Sequence, residues 1–239
     1  MVIVGGFGAI GYRLSDVALG LGLQVAALDL ATSIASKPHL PGMHAGAIDA
    51  TDEGSVQEAF RAIDTLFDGI DVLVNLVGFR NRLAPVDEIG LEEWDEIIGG
   101  NLRSAILITR AALPLLTKAG GGAIVHVASA MGLRPVPQHA PYAVSKAALL
   151  MLAQATAIEV APSIRVNAVA PSAVDTPFHQ GGTGRSTYED SAADPEIFKQ
   201  GVPMGRIARV DDVVGPILFL AGPHAGFMTG QTLLVTGGK

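Results

Sequence analysis

Seven short runs of β-branched and other apolar residues recur along the 239-residue chain, each followed by a turn and most by a helical stretch. This alternation constrains the fold more than any other feature. The strand-like runs cover residues 2–5, 24–29, 43–48, 71–75, 123–128, 165–169 and 232–235. The helical stretches between them cover 10–21, 53–67, 91–116, 142–160 and 210–221. A shorter one at 31–37 is cut off by Pro38 and Pro41. Strand–helix alternation predicts βαβ units and a parallel sheet. Right-handed crossovers then give a doubly wound α/β sheet, mainly seven-stranded, with helices on both faces. The length suits a single domain over 1–239. The chain is 49% hydrophobic and 16% charged, as strands buried on both faces require.

The net charge is −7, with no basic run, which argues against nucleic acid and anionic membranes as partners. There is no cysteine, so disulfides, thiol nucleophiles and thiolate metal sites are excluded. The longest apolar stretch, 147–158, is interrupted by Gln154 and reads as too short to cross a membrane. No basic segment leads into an apolar core at the N-terminus, so a cytoplasmic enzyme is the expectation.

The first strand runs into "GGFGAIG". The glycines can be counted in two ways, as Gly6, Gly8 and Gly11 (G-x-G-x-x-G) or as Gly5, Ala9 and Gly11 (close to T-G-x-x-x-G-x-G). Either places backbone N–H groups and a helix N-terminus toward a pyrophosphate. The second strand ends in Asp29, 18 residues after Gly11. A carboxylate there accepts hydrogen bonds from both adenosine ribose hydroxyls and repels a 2′-phosphate. No Arg or Lys directly follows it or lies in the glycine turn, which favours NAD over NADP. Asp49 ends the third strand and either meets the adenine amino group or caps a helix, a role that Thr51 or Asp52 fits better. Asn75 closes the fourth strand and is followed by Gly78.

Tyr142 and Lys146 stand four residues apart in a helical stretch and share one face. A cation near a phenol favours the phenolate, so this pair can work as an acid/base. Ser129, thirteen residues before Tyr142, closes the fifth strand, either holding a substrate oxygen or simply forming a turn. The irregular segment 171–200 follows the sixth strand, where such sheets bind substrate, and reads as a substrate lid of about 171–205 or a plain surface loop.

Taken together these motifs resemble the short-chain dehydrogenase/reductase family in its single-domain, Rossmann-type form. The resemblance covers essentially the whole chain. It rests on the Gly5–Ala9–Gly11 turn, "NLVG" at 75–78, Asn101 in "NLRSAILITRAALPLL", the Ser129–Tyr142–Lys146 trio, "IRVNAVAPSAVDTP" and "MTGQTLLVTGG". It favours the second counting of the glycines. Departures are Val4 for the usual Thr, Ala9 for Gly, Leu76 and Val77 for Asn and Ala, and Ser172 for the Gly after Pro171.

The resemblance implies hydride transfer between a nicotinamide and a secondary alcohol or ketone. Tyr142 would be the general acid/base. Lys146 would bind the nicotinamide ribose and lower the Tyr142 pKa, Ser129 would polarise the substrate oxygen, and Asn101 would hold a relay water. The implied cofactor contacts are Gly5, Phe7, Ala9, Ile10, Gly11, Asp29, Asp49, Ala50, Asn75, Leu76, Val77, Gly78, Tyr142, Lys146, Pro171, Val174 and Thr176, with no metal. Position suggests Met131, Pro135, Val136, His139 and Phe178 for the substrate pocket. His139 fits a surface position equally well. The leading expectation is an NAD-dependent dehydrogenase of a largely apolar secondary alcohol, assembled as a homo-oligomer, dimer or tetramer. The alternatives are a 3-oxoacyl carrier-protein reductase-like enzyme, for which Arg103 and Arg134 leave room, and a non-catalytic dinucleotide-binding sensor.

Overall fold

The structure, a computed structural model, describes residues 1–180 and 199–239, with the backbone alone at 179 and 180. Seven strands form one all-parallel sheet: β1 (Val2–Val4), β2 (Val25–Asp29), β3 (Met43–Ala47), β4 (Val72–Asn75), β5 (Gly122–Val127), β6 (Ile164–Pro171) and β7 (Thr232–Val235). The order is β3-β2-β1-β4-β5-β6-β7. The order reverses between β1 and β4, which opens a crevice at the carboxyl ends of the strands. Successive residues point to opposite faces, so the sheet feeds two cores. Val2 and Val4 join a cluster with α3 (Glu53–Phe67), α5 (Ser104–Lys118) and α6 (Ala140–Val160). Ile3 joins the other, with α1 (Ala9–Gly20) and α7 (Val210–Ala221). The second helix, α2 (Ala31–Ala35), is short, as the two prolines dictate.

Two expectations need correction. The stretch 91–116 is not one regular helix. α4 (Leu91–Ile98) passes through a π turn, Gly99–Arg103, into α5. Gly100 explains why the chain is so tightly fitted here. A Cβ on it would lie 2.0 Å from Cε1 of Phe79, so the ring occupies the space of a side chain. The widened turn carries Asn101 inward, where it is fully buried.

The second correction concerns α6. At 21 residues it is, by length and composition, apolar enough to cross a membrane. The apolar stretch 147–158 is part of a helix that runs from Ala140 to Val160, two residues longer at its start than expected. Its inner face, Tyr142, Ser145, Lys146, Leu149, Leu150 and Ala153 among others, is buried in the fold. Lys146 is tolerated in that face because its ammonium reaches the carbonyl of Val127 at 3.2 Å.

Candidate active site

The glycine turn is built by backbone contacts that leave no room for side chains. Gly5 has φ of +82°, the left-handed region that glycine adopts without strain. A Cβ on Gly11 would fall 2.3 Å from the Gly5 carbonyl oxygen, and one on Gly6 would fall 2.6 Å from the Ala27 Cβ. The third glycine of either counting, Gly11, is therefore fixed by the close approach of α1 to the backbone of Gly5 and Gly6. Helix α1 opens at Gly8 with no side-chain cap. Its first N–H groups and the positive end of its dipole face the crevice, as an anion site requires. The Asp29 carboxylate braces this turn, accepting from Phe7 N–H at 2.9 Å and from Leu30 N–H at 2.8 Å. Each oxygen keeps further acceptor capacity. These features fit a dinucleotide.

Not every residue implied by the resemblance offers its side chain there. Phe7 is fully buried in the core, with its ring 5.7 Å from that of His39, so only its backbone borders the crevice. Asp49 turns back on its own chain, where its carboxylate accepts from the Thr51 N–H at 2.9 Å and the Thr51 hydroxyl at 2.7 Å. Asp52 is the residue that caps α3. Ala9 and Ile10 begin α1, and Ala50 is buried just beyond β3. At the foot of β6, Pro171 and Val174 are buried, and the Thr176 hydroxyl donates to the Val174 carbonyl at 3.4 Å. Val174 also pairs with Ala208, which ties the two ends of the 171–205 segment together. Residues 181–198 of that segment lie outside the described residues.

The segment 75–79 after β4 is held from both ends. Asn75 is fully buried, and its side-chain oxygen accepts from Val77 N–H at 3.0 Å. Its amide nitrogen then faces His126 Nδ1 at 3.3 Å, so that nitrogen is the acceptor and Nε2 carries the proton. His126 Nε2 has no hydrogen-bond partner among the described residues. Burial, with the Lys146 charge nearby, pushes the His126 pKa down to about 4. At the other end Asn101 clasps Phe79, accepting from its N–H and donating to its carbonyl, both at 2.8 Å. The same amide donates to Ser145 Oγ at 2.9 Å. Both amide hydrogens are thus used, so a water on Asn101, as the resemblance implies, would sit on its main chain or on the remaining lone pair of Oδ1. Leu76 N–H donates to the Val4 carbonyl at 2.8 Å, which joins this segment to the glycine turn.

Ser129, Tyr142 and Lys146 meet at the carboxyl end of β5 and the start of α6. All three are buried. The turn 130–132 brings Ser129 against α6. This approach needs Gly132, where a Cβ would lie 2.8 Å from the Ala147 nitrogen. Lys146 Nζ lies 5.7 Å from the centre of the Tyr142 ring. Burial raises the Tyr142 pKa to about 12, opposed by the facing Ser129 hydroxyl and by the charge of Arg80. Burial lowers that of Lys146 to about 8. The expected lowering of the tyrosine pKa by Lys146 is thus not what this geometry delivers. Desolvation of the phenol dominates, and the opposing cation is Arg80.

Arg80 is the site residue that sequence reasoning missed. It follows the NLVG segment in a stretch without periodicity, and nothing in its neighbours announces that it is buried. His126 left a trace, a lone polar residue inside "AIVHVA". Of the positions suggested for the substrate pocket, Phe178 lies beside Tyr142, ring centres 6.0 Å apart, and Met131 is partly buried. Pro135 and Val136 are exposed, and His139 bonds the Pro137 carbonyl at the surface.

A family model described as enoyl-(acyl carrier protein) reductase matches residues 8–239. A 4-formylbenzenesulfonate dehydrogenase of Comamonas testosteroni is 36% identical over 81% of this chain and 76% of its own. A D-threitol dehydrogenase of Mycolicibacterium smegmatis is 32% identical over 99% of this chain and 91% of its own. Among solved structures, a 3-ketoacyl-(acyl-carrier-protein) reductase from Brucella melitensis complexed with NADH superposes with a TM-score of 0.89. It is 30% identical and covers 99% of this chain and 96% of that one. With strand order, glycine turn and buried Ser–Tyr–Lys set in agreement, the chain belongs to the short-chain dehydrogenase/reductase family.

Proposed function

We propose that this protein is an NAD-dependent oxidoreductase that interconverts a secondary alcohol and a ketone. The observation that carries the reading is the convergence of Ser129, Tyr142 and Lys146 in one buried cluster beside the crevice of the glycine turn. The bound nicotinamide supplies or takes the hydride. The chain's own residues do the rest. Tyr142, protonated at neutral pH, gives its proton to the forming alkoxide in reduction and takes it back in oxidation. The Ser129 hydroxyl holds the same substrate oxygen. Lys146 holds the nicotinamide ribose, and Gly5, Ala9, Gly11 and the 75–78 backbone line the dinucleotide. Asp29 presents a negative charge where NADP would place its 2′-phosphate, which supports NAD. The NADH in the Brucella neighbour supports the same choice.

The reading includes one domain over 1–239 with 171–205 as the substrate lid, a cytoplasmic location and a homo-oligomer, dimer or tetramer. Val144, Met151 and Ile158 of α6 are exposed at seven-residue spacing and form one apolar stripe, which supports assembly. A carrier-protein ketoacyl reductase is the second reading, favoured by the Brucella neighbour. The test is turnover of a panel of secondary alcohols and ketones with NAD(H) and NADP(H) in parallel, beside Tyr142→Phe. Acid/base catalysis predicts a loss of about 10²–10⁴-fold in the variant with dinucleotide binding kept. Equal turnover by the variant sinks the assignment, and faster turnover with NADPH sinks the cofactor choice. A 3-oxoacyl carrier-protein substrate preferred over free ketones selects the second reading.

A further inference from the structure

Resting on the oxidoreductase reading above, we propose that Ser145 is a positioning residue, which acts through Asn101 to seat the 75–80 segment against α6. In residues 143–153 of that helix the polar side chains are Ser145 and Lys146. Ser145 is fully buried, and helix propensity alone would favour alanine there. Its hydroxyl donates to the Tyr142 carbonyl at 2.7 Å, three residues back. That uses its single hydrogen, so toward Asn101 it can only accept, and it does so from Nδ2 at 2.9 Å. The hydroxyl thus favours one orientation of the Asn101 amide. The nitrogen turns to Ser145, and the oxygen accepts from Phe79 N–H.

Gly78 fills the gap between Asn101 and Lys146. A Cβ on it would lie 2.8 Å from Lys146 Nζ and 3.2 Å from Asn101 Oδ1, so the chain touches both. Ser145 and Lys146 are consecutive on α6, so the Ser145–Asn101 bond sets how wide that gap is. On one side of the gap stands the helix that carries Tyr142. Through it runs the segment whose backbone lines the dinucleotide in the reading above. The same segment is tied to the first strand by the Leu76 N–H on the Val4 carbonyl. The relative placement of proton donor and hydride donor therefore passes through the Ser145 hydroxyl. Replacing it by a methyl group removes the acceptor of an Asn101 N–H that has no exposure to water. A buried donor left in that state is costly, and the amide relieves it only by moving, which shifts Phe79.

Single-turnover oxidation of bound NADH by the best ketone of the panel, followed by stopped flow, tests this. Ser145→Ala is expected to lower the rate constant by about 10–100-fold with the amplitude kept. A role in stability alone would lower the amplitude, through the folded fraction, and leave the rate constant. Ser145→Thr, whose hydroxyl can make the same bond to the carbonyl three residues back, restores most of the rate. Asn101→Ala slows the step by itself, and adding Ser145→Ala to it costs less than about twofold more. Melting curves check that the variants fold. A rate constant unmoved in folded Ser145→Ala, or an equal loss in both backgrounds, overturns the proposal. Hydrogen exchange read by mass spectrometry needs no turnover. Protection over 76–81 is expected to fall in Ser145→Ala while that of β2 is kept. Such a fall, in a protein that turns over none of the panel, keeps the positioning role and sinks the oxidoreductase reading. Turnover by the wild type, with rate and protection both unmoved in Ser145→Ala, does the reverse.

Discussion

Adding one methyl group at Gly78 isolates the contribution of Lys146 placement. A Cβ there would stand 2.8 Å from Lys146 Nζ and 3.2 Å from Asn101 Oδ1. Carbon and nitrogen in ordinary contact sit about 3.5 Å apart, so Nζ must withdraw by roughly 0.5–1 Å. It has little freedom to do so, being 3% exposed and bonded to the Val127 carbonyl. Overpacking of this size costs about 1–3 kcal/mol, and for a chain of this length each kcal/mol lowers Tm by about 2–4 °C. Displacing a catalytic group by about 1 Å costs on the order of 10²-fold in rate. Gly78→Ala is therefore expected to lower kcat/KM by about 100-fold while remaining folded and cooperative on melting. Gly215→Ala is the control. Gly215 is an exposed residue of α7 with nothing within 4 Å of the added Cβ, so turnover is kept and stability rises by up to about 1 kcal/mol. Steady-state kinetics and thermal melts on the three proteins decide the matter. Wild-type rates from Gly78→Ala would refute the idea that Lys146 is positioned by contact with this segment.

His126 makes stability depend on acid. Its folded pKa of about 4 lies below the ordinary 6.5, so the unfolded chain binds the extra proton first. Stability is present above pH 6.5 and is lost as the pH falls toward 4, by on the order of 3 kcal/mol from this residue. His126→Asn keeps an acceptor near the Nδ1 position and removes that slope. Urea unfolding from pH 4.5 to 7 measures it, and an unchanged slope in the variant refutes the burial argument. Asp29→Asn keeps the side-chain size and one of the two acceptors, so it holds either Phe7 N–H or Leu30 N–H but not both, and it removes the charge. The preference for NAD over NADP, read as dissociation constants by calorimetry, should narrow about tenfold or more. An unmoved ratio would place cofactor choice elsewhere.

The strands were legible because each is a compact apolar run with a turn behind it, and the observed limits lie within two residues of expectation, with β7 in full agreement. Tyr142 and Lys146 were legible because four-residue spacing survives any small error in the helix ends. Asn101 was placed on a helix, yet its inward turn depends on the π segment, where the ring of Phe79, 22 residues before Asn101, fills the space over Gly100. No local pattern carries such a contact. Arg80 was missed for a related reason. Its burial comes from the anchoring of Phe79 and Asn81 by distant elements, whereas the residue alone reads as a solvated loop cation. The tyrosine's electrostatics were misjudged because sequence spacing reports which charges are near but not how much water is excluded.

The π turn between α4 and α5 also fixes how this stretch can change length. Such a turn holds one residue more than the regular helix around it. Removing a single residue from 99–103 would restore a straight helix, and every side chain ahead of the deletion would swing by about 100° around the axis. Ile97 would leave the core, and Phe79 would lose either its seat on Gly100 or its clasp on Asn101. The loop bearing Arg80 hangs from that clasp. Length variation among descendants of this chain should therefore fall elsewhere, and a sequence lacking the extra residue should have rebuilt the surroundings of Tyr142 as well.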